Sequence, residues 1–168
     1  MEKAKPCNVI RRKIAKTTDN VNTPRYIYQP LNEMFDFDCD PCPFESKVDG
    51  LSKYFEWGDR NYVNPPYSNT KGWLMRGLEE LLDHNKLSVF LIPFAFVTNY
   101  FEDYVFNPKE RGEIIDVYLI CSKITFSGYD APLPVYLCFV VYGDNDKKMQ
   151  EIKFYKTNGE RLRIKHIY

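Results

Sequence analysis

The sequence predicts one α/β domain with a mostly parallel sheet and an antiparallel edge. Its 168 residues, 44% of them hydrophobic, suit a single domain with an adequate core. Strand-like and helical patterns alternate as far as residue 110, which is typical of parallel strands joined by helices. Two β-rich runs then lie close together, at 114–121 and 135–142, and this favours an antiparallel pair at the edge.

The amino-terminal elements are short. Residues 1–21 form a basic arm without apolar periodicity. Thr23 is expected to cap a helix that has Pro24 at its first position, and Pro30 is expected to kink or divide that helix. Residues 35–39 then predict a short strand.

The next elements surround a proline-rich motif. After a predicted loop over residues 43–60, Tyr62 and Val63 belong to a strand that leads into the motif. Ser68 or Asn69 is expected to cap the following helix. That helix carries one apolar stripe, which consists of Leu74, Leu78, Leu81 and Leu82.

A second strand and a third helix complete the centre of the chain. Residues 87–93 form a continuous apolar run, as expected of a strand buried on both faces. Thr98 is expected to open a helix that ends before Pro108, because the residue before a proline disfavours helical geometry.

The carboxyl terminus predicts a β-hairpin over residues 152–167 around an Asn-Gly turn signal. A three-residue loop pairs Phe154 with Leu162 and Ile152 with Ile164, which gathers the apolar side chains on one face. The other face is basic and is either a phosphate-binding surface or simply solvated: it carries Lys153, Tyr155, Arg161, Arg163 and Lys165.

Charge is distributed unevenly along a chain of zero formal net charge. Residues 1–16 hold six Lys or Arg against Glu2, and residues 151–168 hold five against Glu151 and Glu160. Basic ends on an acidic body suit a nucleic-acid partner, although solvated ends without a partner would look the same. No apolar run is long enough to span a membrane and no signal-peptide pattern is present, so we expect an intracellular protein.

The five cysteines predict free thiols rather than a redox or metal site. Cys39 and Cys42 form a C-x-x-C motif, but the neighbouring carboxylates Asp38 and Asp40 disfavour a thiolate. No second C-x-x-C motif supplies the ligands that a zinc site needs. The interpretation left is a set of reduced thiols.

Residues 64–67, Asn-Pro-Pro-Tyr, suit the capture of an amino group on a planar ring. Asn64 offers a side-chain carbonyl, and Pro65 offers a backbone carbonyl whose direction Pro66 restricts. Tyr67 offers a flat face on which a base can stack. Two acceptors can hold both N–H bonds of an exocyclic amine and favour attack by its lone pair. A plain proline-rich turn after a strand is the alternative.

The order and spacing of several motifs resemble the phage-type DNA N6-adenine methyltransferases. The resemblance covers roughly residues 22–142 and departs from the pattern in having no glycine before Gly50, so that segment 38–43 replaces a glycine-rich cofactor loop. The matching pieces are Asn22–Pro24, Phe35–Pro41, Asp49–Leu51, Val63–Ser68, Leu91–Pro93, Lys123–Phe126 and Ala131–Pro134.

The resemblance implies a reduced Rossmann-like methyltransferase sheet, S-adenosylmethionine as the cofactor and the N6 amine of adenine in DNA as the acceptor. It also implies that Thr23, Pro24 and Pro41 line the cofactor. Asp38 and Asp40 follow a strand-like run, where carboxylates can accept hydrogen bonds from the ribose hydroxyls or the amino group. No metal is expected.

A paired adenine must be flipped out of the duplex to reach such a pocket. The predicted organisation is a basic arm (1–21), a methyltransferase-like domain (22–150) and a terminal hairpin (151–168). This organisation leaves little room for a separate sequence-reading domain, so we expect either low sequence specificity or the help of a homodimer partner or helper subunit. Two alternatives stay open. The same pocket can serve RNA adenine or a protein glutamine, and a chain without the glycine loop can be a catalytically silent nucleic-acid-binding module.

Overall fold

A computed structural model describes residues 21–45, 47–144 and 148–168, and it shows one mixed five-stranded sheet with helices on both faces. The spatial order of the strands is β1-β2-β4-β3-β5. Their bounds are β1 Arg60–Val63, β2 Leu87–Pro93, β3 Ile115–Ile120, β4 Leu137–Tyr142 and β5 Ile164–His166. The prediction of an α/β protein is confirmed.

The sheet is mostly antiparallel, so the predicted mostly parallel sheet is wrong. Only β1 and β2 pair in parallel, whereas β4 pairs antiparallel with both β2 and β3, and β5 pairs antiparallel with β3. The reason lies in the connection over residues 121–136, which contains no helix and cannot make a parallel crossover. The chain reverses direction in this connection, and β4 lies between β2 and β3 in the sheet.

The direction of the strands still gathers three carboxyl ends at one edge. β2 and β3 are both antiparallel to β4 and are therefore parallel to each other and to β1. The carboxyl ends of β1, β2 and β3 consequently lie along the same side of the sheet, which we call the motif edge. The chain leaves this edge through residues 64–69, 94–98 and 121–136.

Several helices begin or end at residues other than those predicted from the sequence. Helix α1 (Arg25–Phe35) continues through Pro30 rather than dividing there, and it begins after Pro24 without a side-chain cap from Thr23. Asn69 precedes α2, as predicted, although its side chain makes no capping hydrogen bond. The third helix includes Pro108 instead of stopping before it, because the proline lies in the first turn of a new segment. The remaining bounds are α2 Thr70–His84, α3 Asn99–Phe101, a π-helical turn Glu102–Phe106 and α4 Asn107–Glu110.

Strand β2 divides the core into two layers, which confirms that it is buried on both faces. Val89 and Leu91 pack in the cluster that contains α1 and the terminal hairpin. Phe90 and Ile92 pack in the opposite cluster, with α2 and the third helix. All four side chains are fully buried.

The predicted strand at residues 35–39 is reduced to a single parallel bridge between Cys39 and Asn61. The amide N–H of Asp38 donates to the carbonyl of Arg60, and that of Tyr62 donates to the carbonyl of Cys39. This short segment therefore lies beside β1 and runs in the same direction. It brings the loop that follows residue 39 toward the motif edge.

The hairpin register is confirmed in its apolar pair. Tyr155 bridges to Arg161, and the amide of Leu162 donates to the carbonyl of Phe154 at 2.9 Å. The predicted pairing of Ile152 with Ile164 is wrong, because Ile164 instead pairs with Ile120 and makes β5 an edge strand of the sheet. The basic face is exposed: Lys153, Tyr155, Arg161, Arg163 and Lys165 all lie on it.

The prediction of free thiols is confirmed for three of the cysteines and wrong for a fourth. Cys42, Cys121 and Cys138 are free thiols, as predicted, whereas Cys39 is disulfide-bonded, so the prediction is wrong for that residue. None of the helices in the described part of the chain is long and apolar enough to cross a membrane. The predicted basic arm, apart from Val21, lies outside the described residues.

Candidate functional site

The Asn-Pro-Pro-Tyr motif leaves the sheet directly after β1, at the motif edge. Two consecutive prolines cannot extend the ladder, and Tyr67–Asn69 forms a 3-10 turn that opens α2. The carbonyl of Pro66 accepts the amide N–H of Asn69 at 3.0 Å. The motif is therefore a rigid corner between a buried strand and a long helix, rather than a mobile loop.

The side-chain amide of Asn64 is held in one orientation. Its Nδ2 donates to the backbone carbonyl of Val21 at 3.0 Å and to Oγ1 of Thr23 at 3.1 Å. Both donor positions are thereby used by the segment before α1. The Oδ1 atom, which must point the other way, is buried and has no hydrogen-bond partner among the described residues.

An unpaired buried carbonyl is costly to keep, since a desolvated acceptor without a donor loses about 1–3 kcal/mol. Asn64 thus presents an acceptor that a ligand N–H can satisfy. The carbonyl of the neighbouring Pro65 also accepts no hydrogen bond within the described residues. Because Oδ1 is buried, the side chains that cover it must move before a base can reach this acceptor. The structure therefore shows the site in a closed conformation.

Tyr67 is half-buried and packs against the core cluster that contains α1. Its hydroxyl is buried without a hydrogen-bond partner in the described structure, and burial raises its pKa. The phenol is therefore neutral and cannot act as a base near pH 7.

Thr23 and Tyr62 form a hydrogen-bonded support behind Asn64. The two hydroxyls lie 2.8 Å apart, and Tyr62 is only 2% exposed. Burial raises the pKa of Tyr62, and the negative charge of Asp40 raises it further. The family resemblance implies that Thr23 lines the cofactor, whereas neither this hydrogen-bonded support nor the role of Val21 was predicted. No local pattern could have revealed contacts between residues 41 and 43 positions apart.

The structure separates Asp38 from the motif. Its two carboxylate oxygens accept the backbone N–H groups of Asp59, at 3.2 Å, and Arg60, at 3.0 Å. These amides mark the amino end of β1, whereas Asn64 follows its carboxyl end. Four residues of extended chain place about 13 Å between the two. The arrangement is that of a carboxylate capping the start of a strand.

Asp40 lies closer to the motif. Its Oδ1 accepts the amide N–H of Cys42 at 3.0 Å, which closes a tight turn after the Cys39 bridge. Its charge acts on Tyr62, whose hydroxyl is hydrogen-bonded to Thr23, and Oγ1 of Thr23 in turn accepts from Nδ2 of Asn64. The structure thus brings Asp40, but not Asp38, toward the predicted catalytic residues.

The two remaining predicted cofactor residues, Pro24 and Pro41, are both buried. Pro24 is buried at the start of α1, where its carbonyl accepts the N–H groups of Ile27 and Tyr28. Pro41 is also buried, and its carbonyl lies 2.1 Å from the position that a Cβ on Gly50 would take.

Glycines that pack against segment 38–43 come from later in the chain. A Cβ on Gly58 would lie 2.1 Å from Oδ1 of Asp38, just as one on Gly50 would meet Pro41. Neither position tolerates a side chain without movement of the segment. The glycine-free segment therefore packs closely against two glycines of the 43–60 loop. This packing role of Gly50 and Gly58 was not predicted from the sequence.

Comparisons with known proteins agree with the motifs. The sequence model of the DNA N-6-adenine-methyltransferase (Dam) family matches residues 12–151, which include strands β1 to β4 but stop at the terminal hairpin. A protein described as DNA N-6-adenine-methyltransferase, from Haemophilus phage HP1 (strain HP1c1), is 30% identical over 115 residues. That match covers 62% of this chain and 64% of the phage protein, which is just under two thirds of its length. No solved structure matches this chain.

Proposed function

We propose an S-adenosylmethionine-dependent transfer of methyl groups to the N6 amine of adenine in DNA for this chain, which belongs to the DNA N-6-adenine-methyltransferase (Dam) family. The family match includes the corner at residues 64–67. The phage relative, described as a DNA N-6-adenine-methyltransferase, points to the same reaction. RNA adenine and protein glutamine are weaker candidates, because no observation in the structure favours them.

One observation carries the proposal, namely the fixed and unsatisfied amide of Asn64. Because Nδ2 is engaged by Val21 and Thr23, Oδ1 must be the atom that faces an incoming group. An acceptor in this position selects an N–H donor and rejects a carbonyl. The exocyclic amine of adenine is such a donor, and its nitrogen becomes the nucleophile when its hydrogens are held by acceptors.

The residues present fit the implied methyl donor. S-adenosylmethionine, when bound, would supply an electrophilic methyl group. Asp40 would accept hydrogen bonds from its hydroxyl or amino groups, since this carboxylate lies in the turn after the Cys39 bridge and acts on Tyr62 beside the motif. Segment 38–43, closely packed on Gly50 and Gly58, would form the floor of that site.

The chain's own residues would then perform three tasks. Asn64 and Pro65 would hold the two N–H bonds of the amine, and Tyr67 would stack on an extruded base. Such stacking is worth about 1–3 kcal/mol, against a few kcal/mol for extruding a paired base. The neutral Tyr62 and Thr23 would keep the Asn64 amide oriented without exchanging protons.

A labelled methyl donor tests the proposal directly. The protein is incubated with unmethylated plasmid DNA, with an RNA transcript and with a mixture of proteins, and each product is digested and analysed by mass spectrometry. We expect label in N6-methyladenine from DNA alone. Label in RNA or protein with none in DNA would overturn the assignment, and an absence of label in all three would support a silent binding module.

A further inference from the structure

Exposed apolar side chains are concentrated at the motif edge. Among the described residues, ten large apolar side chains are markedly exposed. Five of them lie in the two connections that leave the carboxyl ends of β2 and β3: Phe96, Val97, Tyr129, Val135 and Tyr136. The carbonyl of Tyr136 accepts the amide of Phe94, so the two connections are joined to each other.

The turn after β2 is rigid and presents a single side chain at its tip. Both the amide N–H and the hydroxyl of Thr98 donate to the carbonyl of Ala95, at 3.0 and 2.6 Å. The ring of Phe96 packs on Phe106 with 4.7 Å between centroids. Between these two anchors, Val97 is 94% exposed.

We propose that Val97 is a wedge that enters the base stack of duplex DNA and fills the gap left by the target adenine. The inference rests on the proposed function. Extruding a base leaves an apolar cavity in the stack, and apolar side chains on rigid turns can occupy such steps. Val97 follows β2, the immediate neighbour of β1, so its turn leaves the sheet at the same edge as the Asn64 corner that would receive the base.

The charges along the motif edge favour DNA over an apolar protein partner. Exposed cations flank the turn on both sides: Lys71 in the first turn of α2, Lys123 in the following connection, and Arg161 and Arg163 beside β5. The exposed acidic residues on this side are Asp130 in the 121–136 connection and Glu102 and Asp103 in the helical segment that follows the turn.

The spacing also suits a duplex. Three strand spacings separate β2 from β5, which is about 14 Å. This is comparable with the width of the major groove, about 12 Å. A wedge at β2 and cations at β5 can therefore meet the base stack and a flanking backbone at the same time.

The test measures base extrusion and methyl transfer separately. Methylated adenines are first mapped in plasmid DNA, and 2-aminopurine then replaces the target adenine in a duplex of that sequence. We expect Val97→Ala to lower the fluorescence gain on binding at least threefold. Val97→Leu should retain most of the gain, because it keeps an apolar wedge.

Leu82→Ala is the matched control. Leu82 is also exposed, at 54%, but it lies in the last turn of α2, away from the motif edge. The Val97→Ala defect should disappear when the target base is opposite a mismatch, since less unpairing is then required. Full fluorescence from Val97→Ala on paired DNA, or an equal loss from Leu82→Ala, would overturn the wedge while leaving methyl transfer by the parent intact. A parent that neither extrudes the base nor methylates DNA would overturn both proposals.

Discussion

At the scale of single residues, the candidate site is defined by which atoms of Asn64 remain available. A free asparagine can present either its carbonyl or its amide nitrogen. Here Val21 and Thr23 engage the nitrogen, so the oxygen is the atom of this amide that is left for a ligand. This selection is made by the segment before α1, which reaches back to the corner after β1.

Asn64→Ala should lower the methylation rate on the order of a hundredfold or more, because a preorganised contact to the reacting amine is lost. The rate is measured with DNA and labelled methyl donor under single-turnover conditions. Gln29→Ala, a change at a partly buried position of α1, serves as the control for folding and handling. If Asn64→Ala retained near-parental turnover with an unchanged melting temperature, the motif would have no part in the chemistry.

Thr23→Val should act through Asn64. The change removes one of two acceptors for the Asn64 nitrogen and keeps the side-chain volume, so we expect a loss of about 3- to 10-fold in kcat, which corresponds to one net hydrogen bond. Calorimetry with S-adenosylmethionine distinguishes positioning from cofactor lining. A weakened cofactor affinity with unchanged kcat would return Thr23 to the role implied by the family resemblance.

The two aspartates should behave differently. Asp40→Ala should weaken S-adenosylmethionine binding by about 1.5 kcal/mol or more, as expected when a hydrogen bond to a charged group is lost. Asp38→Ala should instead cost about 1 kcal/mol of unfolding free energy, because Asp38 caps the start of β1 on an exposed surface. Calorimetry and urea denaturation of both variants check the pair. An Asp38→Ala protein of normal stability that binds cofactor poorly would reverse the assignment.

Residue types predicted the acceptors of the site, but not their support. Asn64 and Pro65 stand out because Asn64 has a side-chain carbonyl and Pro66 restricts the direction of the Pro65 backbone carbonyl. Asp38 and Asp40 are equivalent in sequence, and only the register of the Cys39 bridge with Asn61 places Asp38 at the amino end of β1 and Asp40 two residues further along it. Register between segments so far apart depends on tertiary packing, which a local pattern does not contain.

At the scale of elements, apolar patterns predicted the strands better than their pairing. The continuous run at 87–93 became β2 with its predicted bounds. Strand direction was wrong, because alternation of strands and helices was extended to the connection over 121–136, which forms no helix. The hairpin gives a second example. Its turn correctly predicted the pair of Phe154 and Leu162, but the following residues, 164–166, pair with β3 instead of continuing the hairpin.

The terminal hairpin should be part of the cooperative core rather than an appendage. Phe154 is fully buried and stacks on Phe139 of β4 with 5.6 Å between centroids. Phe154→Ala should therefore cost about 3–5 kcal/mol in unfolding free energy. Tyr155→Ala, on the exposed face, is the control and should change stability little. Urea denaturation measures both. A small loss for Phe154→Ala would show that residues 151–168 fold independently of the sheet.

At the scale of the whole molecule, the proposed DNA affinity would have to come from the placement of charge, because the 23 basic and 23 acidic residues cancel. Arg161, Arg163, Lys165 and His166 line an open groove of about 920 Å³ beside β3 and β5. Since β5 is antiparallel to β3, the two arginines lie toward the motif edge, where Arg163 meets Cys121 through its backbone. The cations are thus on the side where a duplex would meet the Asn64 corner.

The double variant Arg161→Ala/Arg163→Ala should bind DNA more weakly and with less dependence on salt. Each phosphate contact contributes about 0.9 to the slope of log K against log salt concentration, so losing two contacts should reduce that slope by about 1.8. Arg111→Ala is the matched control, because this exposed arginine precedes β3 at the opposite side of the sheet. Fluorescence anisotropy over a salt series gives both slopes. Since phosphate contacts carry no sequence information, the loss should be equal for target and non-target DNA. A loss confined to target DNA would mean that these arginines read bases, and an unchanged slope would mean that the hairpin face is merely solvated.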